Sequence, residues 1–131
     1  MPTPEHLEVA RLLLDKAAGD LSALRVLASD QAQADHVIGF HAQQTVEKSI
    51  KAVLASREVE LPMTHDLGYL ATLCAELEPL PADVATSSWL TPWAGGWRYD
   101  TEASPVDRVL AVAVAESAFD WGRSRVEDPQ D

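Results

Sequence analysis

The sequence predicts an all-α protein, an up-and-down bundle of about five helices built on a long antiparallel pair. Three observations carry that prediction. A heptad of apolar residues runs through Leu7, Ala10, Leu14, Ala17, Leu21, Leu24 and Ala28. A second stretch, from about Gln31 to Ser56, places Ala42, Val46, Ser49, Ile50 and Val53 on one side at helical spacing. No alternation of the kind that marks a strand competes with either.

Thr3 and Pro4 read as N-cap and first residue of the opening helix. Val9, Leu13 and Val26 widen its stripe beyond one partner's reach, which suggests burial on two sides. Ser29 and Asp30 are the expected cap of the second helix. Two long helices with a short connection pack as an antiparallel hairpin. Glu58 to Met63 has no period and reads as a loop. Thr64 or Asp66 then caps a third helix with Leu67, Leu70, Leu73, Cys74 and Leu77 inward, ended by Pro79 and Pro81. Pro81 starts a brief fourth helix through Val84 and Leu90, closed by Thr91 and Pro92. Residues Trp93 to Asp100 read as a packed loop. Ser104, Pro105 and Asp107 open the last helix, whose expected apolar face is Val106, Val109, Leu110, Ala113, Val114 and Trp121. The polar tail from Glu127 to Asp131 is expected to fray.

The chain of 131 residues is one domain of common size, and 47% hydrophobic content suffices for one core. Ten Lys and Arg against twenty-one Asp and Glu give a net charge of -11. Such a surface repels nucleic acid and anionic membranes, so any phosphate-bearing partner needs a local basic patch. Cys74 is the single cysteine, which excludes an intrachain disulfide and suits a reducing cytoplasm. The N-terminus carries no basic segment followed by an apolar run, and no stretch reaches the length of a membrane span. A soluble cytoplasmic protein is expected.

Chemistry concentrates in Phe40 to Lys51. His41, Gln44, Thr45 and Lys48 share a polar face, and Glu47 and Lys51 form an i,i+4 pair. Gln44 and Lys48, one turn apart, can bind phosphate oxygens through an amide and an ammonium group; equally, they can be a solvated face with Lys48 paired to Thr45 or Gln44. His65 and Asp66 lie at a helix start, where backbone N–H groups favour an anion. Alternatively, Asp66 only caps and His65 packs on the second helix. Arg98 and Tyr99 form a reasonable anion clamp, unless Arg98 bridges to Asp100 or Glu102. Trp89, Trp93 and Trp97 recur every four residues, as stacking platforms or as core and dimer contacts. Neither His6, His36, His41 and His65 nor the lone cysteine has metal-ligand spacing, so no metal or other cofactor is expected. Cys74 falls on an apolar face and reads as inert.

The segment FHAQQTVEKSIKAVL, then THDL, then LTPWAGGWRYD before a final helix, resembles the HEPN domain family over nearly the whole chain. In the family the third motif usually ends Arg-Tyr-Pro, and here Asp100 takes the proline's place. The resemblance implies a helical bundle, usually a homodimer, often encoded beside a small nucleotidyltransferase in a toxin–antitoxin pair. It implies a nucleotide- or RNA-associated module with His41, Gln44, Lys48, His65, Arg98 and Tyr99 lining one groove. Tyr99 could accept a nucleotidyl group from the partner, since a phenol is a competent acceptor. Many members are metal-independent endoribonucleases with an Arg followed by about four to six residues and a His. Here Ala103, Ser104 and Pro105 occupy the positions that the histidine would need after Arg98. A toxin-type ribonuclease lacking that motif is the alternative, and a ligand-free helical dimer is a third.

Overall fold

The computed structural model describes residues 3–95 and 105–127. Its helices are α1 (Pro4–Ala28), α2 (Asp35–Ser56), α3 (Leu67–Ala75), α4 (Ala82–Ala85) and α5 (Arg108–Glu127), with a 3₁₀ helix, Ser87–Trp93, after α4. No strand occurs among the described residues. The all-α bundle on a long α1–α2 hairpin is therefore what the chain forms.

Thr3 caps α1 by accepting the His6 backbone N–H, and Pro4 occupies the first turn, where a missing N–H costs nothing. The heptad turns inward: Ala10, Leu14, Ala17, Leu21 and Leu24 are buried against α2 and α5. Of the flanking residues, Leu13 is half-buried against the core, whereas Val9 is exposed and Val26 is 69% exposed. The second helix begins at Asp35, later than its apolar spacing suggests. Ser29 instead closes α1, and the Asp30 carboxylate accepts the Ala32 N–H, turning the chain before α2 can start. Ala34 takes the N-cap position without a side-chain bond.

Helix α2 is enclosed by α1, α3, α5 and the 3₁₀ helix. Val46, Ile50, Val53 and Leu54 are fully buried, each worth about 1.5–3 kcal/mol of transfer free energy. Two glycines let neighbours come close. A Cβ on Gly39 would stand 2.4 Å from the Trp93 ring, and one on Gly122 of α5 would stand 3.2 Å from the Ser49 carbonyl of α2. The C-terminus of α2 ends in a Schellman turn: Val59 N–H bonds the Leu54 carbonyl and Glu58 N–H bonds that of Ala55. Glu58 carries the left-handed conformation there, with φ of 60°.

Asp66 caps α3 through the Tyr69 N–H. The helix stops at Ala75, before the prolines, and Leu77 is exposed. The expected fourth helix is split, because Ser87 onward tightens to a 3₁₀ turn that carries Pro92 inside it. Glu78 is buried between Arg57 and Arg125. Arg57 donates to it at 3.2 Å, and Arg125 Nε lies 2.7 Å away as a charge contact outside hydrogen-bond geometry. Trp121 Nε1 donates to the Pro79 carbonyl, so the same loop is tied twice to α5. Trp89 packs against the core and Trp93 is buried in it, whereas Trp97 lies outside the described residues.

The last helix starts at Arg108, with Asp107 accepting the Leu110 N–H; Ser104 lies outside the described residues. Its inward face is rotated from the expected one. Val106, Val114 and Trp121 are buried, but Ala111, Ala115, Ala118 and Gly122 fill the rest, leaving Val109 83% exposed and Leu110 and Ala113 outside. Small residues win because α5 lies close on α2, and bulkier side chains would hold the helices apart. Arg108 then locks the start of α5 to α2, donating to Asp35 Oδ1 at 3.1 Å and to the carbonyls of Asp30 and Gln33.

Two substitutions test this packing. Gly39→Ala should lose about 1–3 kcal/mol by overpacking against Trp93, read as a lower urea midpoint with an altered tryptophan emission spectrum. Glu58→Gly should gain roughly 0.5–1 kcal/mol by relieving the left-handed residue, read in the same titration.

Candidate functional site on helix α2

Along α2, residues three and four apart stack on one face, so His41, Gln44 and Lys48 follow one another up the helix. Each is half-buried. Thr45, expected beside them, is fully buried and donates to the His41 carbonyl, so it belongs to the core side.

The side-chain partner of Lys48, shared with the His41 ring, is neither Thr45 nor Gln44. It is Asp20 of α1, whose side chain is 12% exposed: His41 Nδ1 lies 3.0 Å from Oδ1 and Lys48 Nζ lies 2.5 Å from Oδ2. A carboxylate can only accept, so Nδ1 carries the shared proton and Nε2 points onward. One acid thus orients an imidazole and an ammonium group. The ring of Phe40 meets His41 edge to face at 5.3 Å.

A second acid centre lies around the helix. Glu47, with its side chain 6% exposed, accepts from Gln43 Nε2 at 2.9 Å, from Lys51 Nζ at 2.9 Å and from His65 Nδ1 at 2.8 Å. Gln43 also donates to the His65 carbonyl, and its Oε1 accepts from Gln44 Nε2 at 2.7 Å. Burial pushes the Glu47 carboxyl up, but hydrogen bonds from Lys51, Gln43 and His65 outweigh it and hold Glu47 below the ordinary carboxylate range. His65 is thereby fixed to α2 by its backbone and ring while its side chain stays 65% exposed. The THDL segment has two tasks, because Asp66 caps α3 and His65 closes on Glu47.

Of the six expected groove residues, His41, Gln44 and Lys48 share one strip. His65 reaches its flank through Glu47 and Gln43. Arg98 and Tyr99 lie outside the described residues. The chain on either side of that segment is anchored near the N-terminal half of α2, by Trp93 on Gly39 and by Val106 N–H and Arg108 on Asp35.

Sequence reasoning missed Asp20 and Gln43 and gave Glu47 only the pairing with Lys51. Hairpin register is the signal that could have found the first: folding the chain back between Ser29 and Ala34 sets Asp20 opposite the low and middle forties. Gln43 and Glu47 lie i,i+4, and the spacing marks Glu47 only as a partner of Lys51. Among the described residues no cluster of three or more His, Cys, Asp or Glu is placed to hold a metal, and no helix is long and apolar enough to cross a membrane. Cys74 is buried, and burial together with the nearby Glu78 charge pushes its thiol up to about 11, so at neutral pH it is not a nucleophile.

Against known proteins, the family model described as HEPN domain matches residues 10–123. No curated protein and no solved structure matches the chain.

Glu47 also sets an acid limit on stability. Its carboxyl is lowered on folding, so its contribution is complete above the unfolded value near 4.5 and disappears as pH falls through the folded value. Urea midpoints measured from pH 7 down to about pH 3 should fall for the wild type, with a shallower fall in Glu47→Gln, which has no such proton to take up.

Proposed function

The chain belongs to the HEPN domain family, and we propose on that footing that it is a binding module for a nucleotide or RNA. It works with a small nucleotidyltransferase encoded nearby, as one half of a toxin–antitoxin-like pair, and does so as a cytoplasmic homodimer. The observation that carries the binding reading is the α2 strip. His41, Gln44 and Lys48 present polar groups at the surface while largely covered Asp20 and buried Gln43 hold them from behind, so little side-chain freedom is lost when a ligand arrives. His65 adds a second carboxylate-oriented imidazole at the flank.

Arg98 and Tyr99 complete the groove in this proposal. Anchoring of residues 93 and 106 to the N-terminal half of α2, the half that bears His41, supports drawing them in. Exposed Val109 and Leu110 on α5 offer apolar surface to a second copy, and a buried, unreactive Cys74 suits a reducing compartment.

The test is co-expression with the product of the neighbouring gene, followed by size-exclusion chromatography, intact mass and incubation with RNA. A stable complex, or a mass gain that Tyr99→Phe abolishes, is expected, with RNA left whole. Cleavage of RNA that Arg98→Ala removes would move the protein to the ribonuclease class. A free species of unchanged mass that binds neither nucleotide nor RNA would overturn the proposal.

A further inference from the structure

We infer that the α2 strip recognises the uncharged base of a nucleotide, through the donor–acceptor edge of Gln44, and does not grip the phosphates. This rests on the nucleotide-binding proposal above and specifies which part of the ligand α2 meets. A phosphate site on the strip would need free ammonium charge, and both ammonium groups here are already taken. Lys48 Nζ sits 2.5 Å from Asp20 Oδ2 and Lys51 Nζ sits 2.9 Å from Glu47 Oε2. The acids are 12% and 6% exposed, so solvent and salt do little to loosen them. Two ammonium groups and two carboxylates sum to no net charge. In a chain of net charge -11, nothing in these pairs offsets the repulsion of a multiply charged phosphate.

Neutral hydrogen bonding is what remains open. Gln44 donates one N–H to Gln43 Oε1, which leaves its second N–H and its own Oε1. That donor and acceptor, side by side on one amide, match the paired groups on a nucleobase edge. Gln43 cannot swing away, because its own amide is bound to Glu47 and to the His65 carbonyl. One turn earlier, His41 is held at Nδ1 by Asp20 and has Nε2 for one further bond to the base.

The experiment is calorimetric titration of the full chain with the four ribonucleosides and their 5′-mono- and triphosphates, in about 50 mM and about 300 mM NaCl. For the preferred base, in an Arg98→Ala background that removes the cation proposed to complete the groove, the nucleoside should bind within about threefold of its triphosphate, and affinity should change less than about twofold between the two salts. Gln44→Ala, on a half-exposed residue, should weaken all three forms about tenfold or more while circular dichroism shows a native melt. Asp20→Asn, which leaves Lys48 without its counter-charge, should give the triphosphate about a tenfold advantage over the nucleoside. Triphosphate binding that is steep in salt with the nucleoside silent would overturn the inference, as would a Gln44→Ala variant of unchanged affinity. If no nucleoside, nucleotide or short RNA binds, the nucleotide-binding proposal falls and this one with it.

Discussion

Enclosure of α2 is the constraint on which the rest depends. On the covered faces of a helix packed against α1, α3, α5 and the 3₁₀ helix, polar side chains cannot reach water, so each must find a partner inside the protein. Gln43, Thr45, Glu47 and Ser49 are all buried, and each is bonded to a neighbour or to the carbonyl one turn back. The two acids that answer this demand, Asp20 and Glu47, determine where His41, Lys48, Lys51 and His65 point. Candidate chemistry and core packing are therefore one problem in this domain.

That coupling explains the shape of the bundle's edges. Close approach to α2 selects Gly39 beneath Trp93 and Gly122 beside Ser49, and it selects alanines on the inner face of α5. Once α5 lies this near, its larger residues Val109 and Leu110 are left outside. Arg108 and Asp35 then fix where α5 begins, while Glu78 with Arg57 and Arg125 fixes the other end. Breaking one member of a buried ionic group leaves the others desolvated and unpaired, which typically costs about 3–5 kcal/mol, so the cluster on buried Glu78 resists piecemeal change.

For the candidate site, buried acids work in two directions. They freeze the side chains that a ligand would meet, which lowers the entropy lost on binding. They also neutralise those side chains, which removes the attraction that a lysine-bearing helix otherwise has for phosphate. A reading of α2 alone leaves the Lys48 charge uncancelled, because the acid that meets it, Asp20, comes from another helix.

The sequence by itself determined the helical class, the α1 heptad, the cap at Thr3, the core side of α2 and the family, and it narrowed the α3 cap to Thr64 or Asp66. Each depends on residues close together in the chain, where a period of 3.6 or a cap three residues away leaves a direct trace. It also marked out His41, Gln44, Lys48 and His65 as the polar residues worth placing, though not what holds them. Only the tertiary structure decided that Asp20 joins His41 to Lys48, that Glu47, paired with Lys51 as its spacing suggests, is also a buried hub for Gln43 and His65, and which face of α5 turns inward. Those outcomes turn on the register of one helix against another and on how closely backbones approach, and neither quantity is carried by the spacing of residues within a single segment.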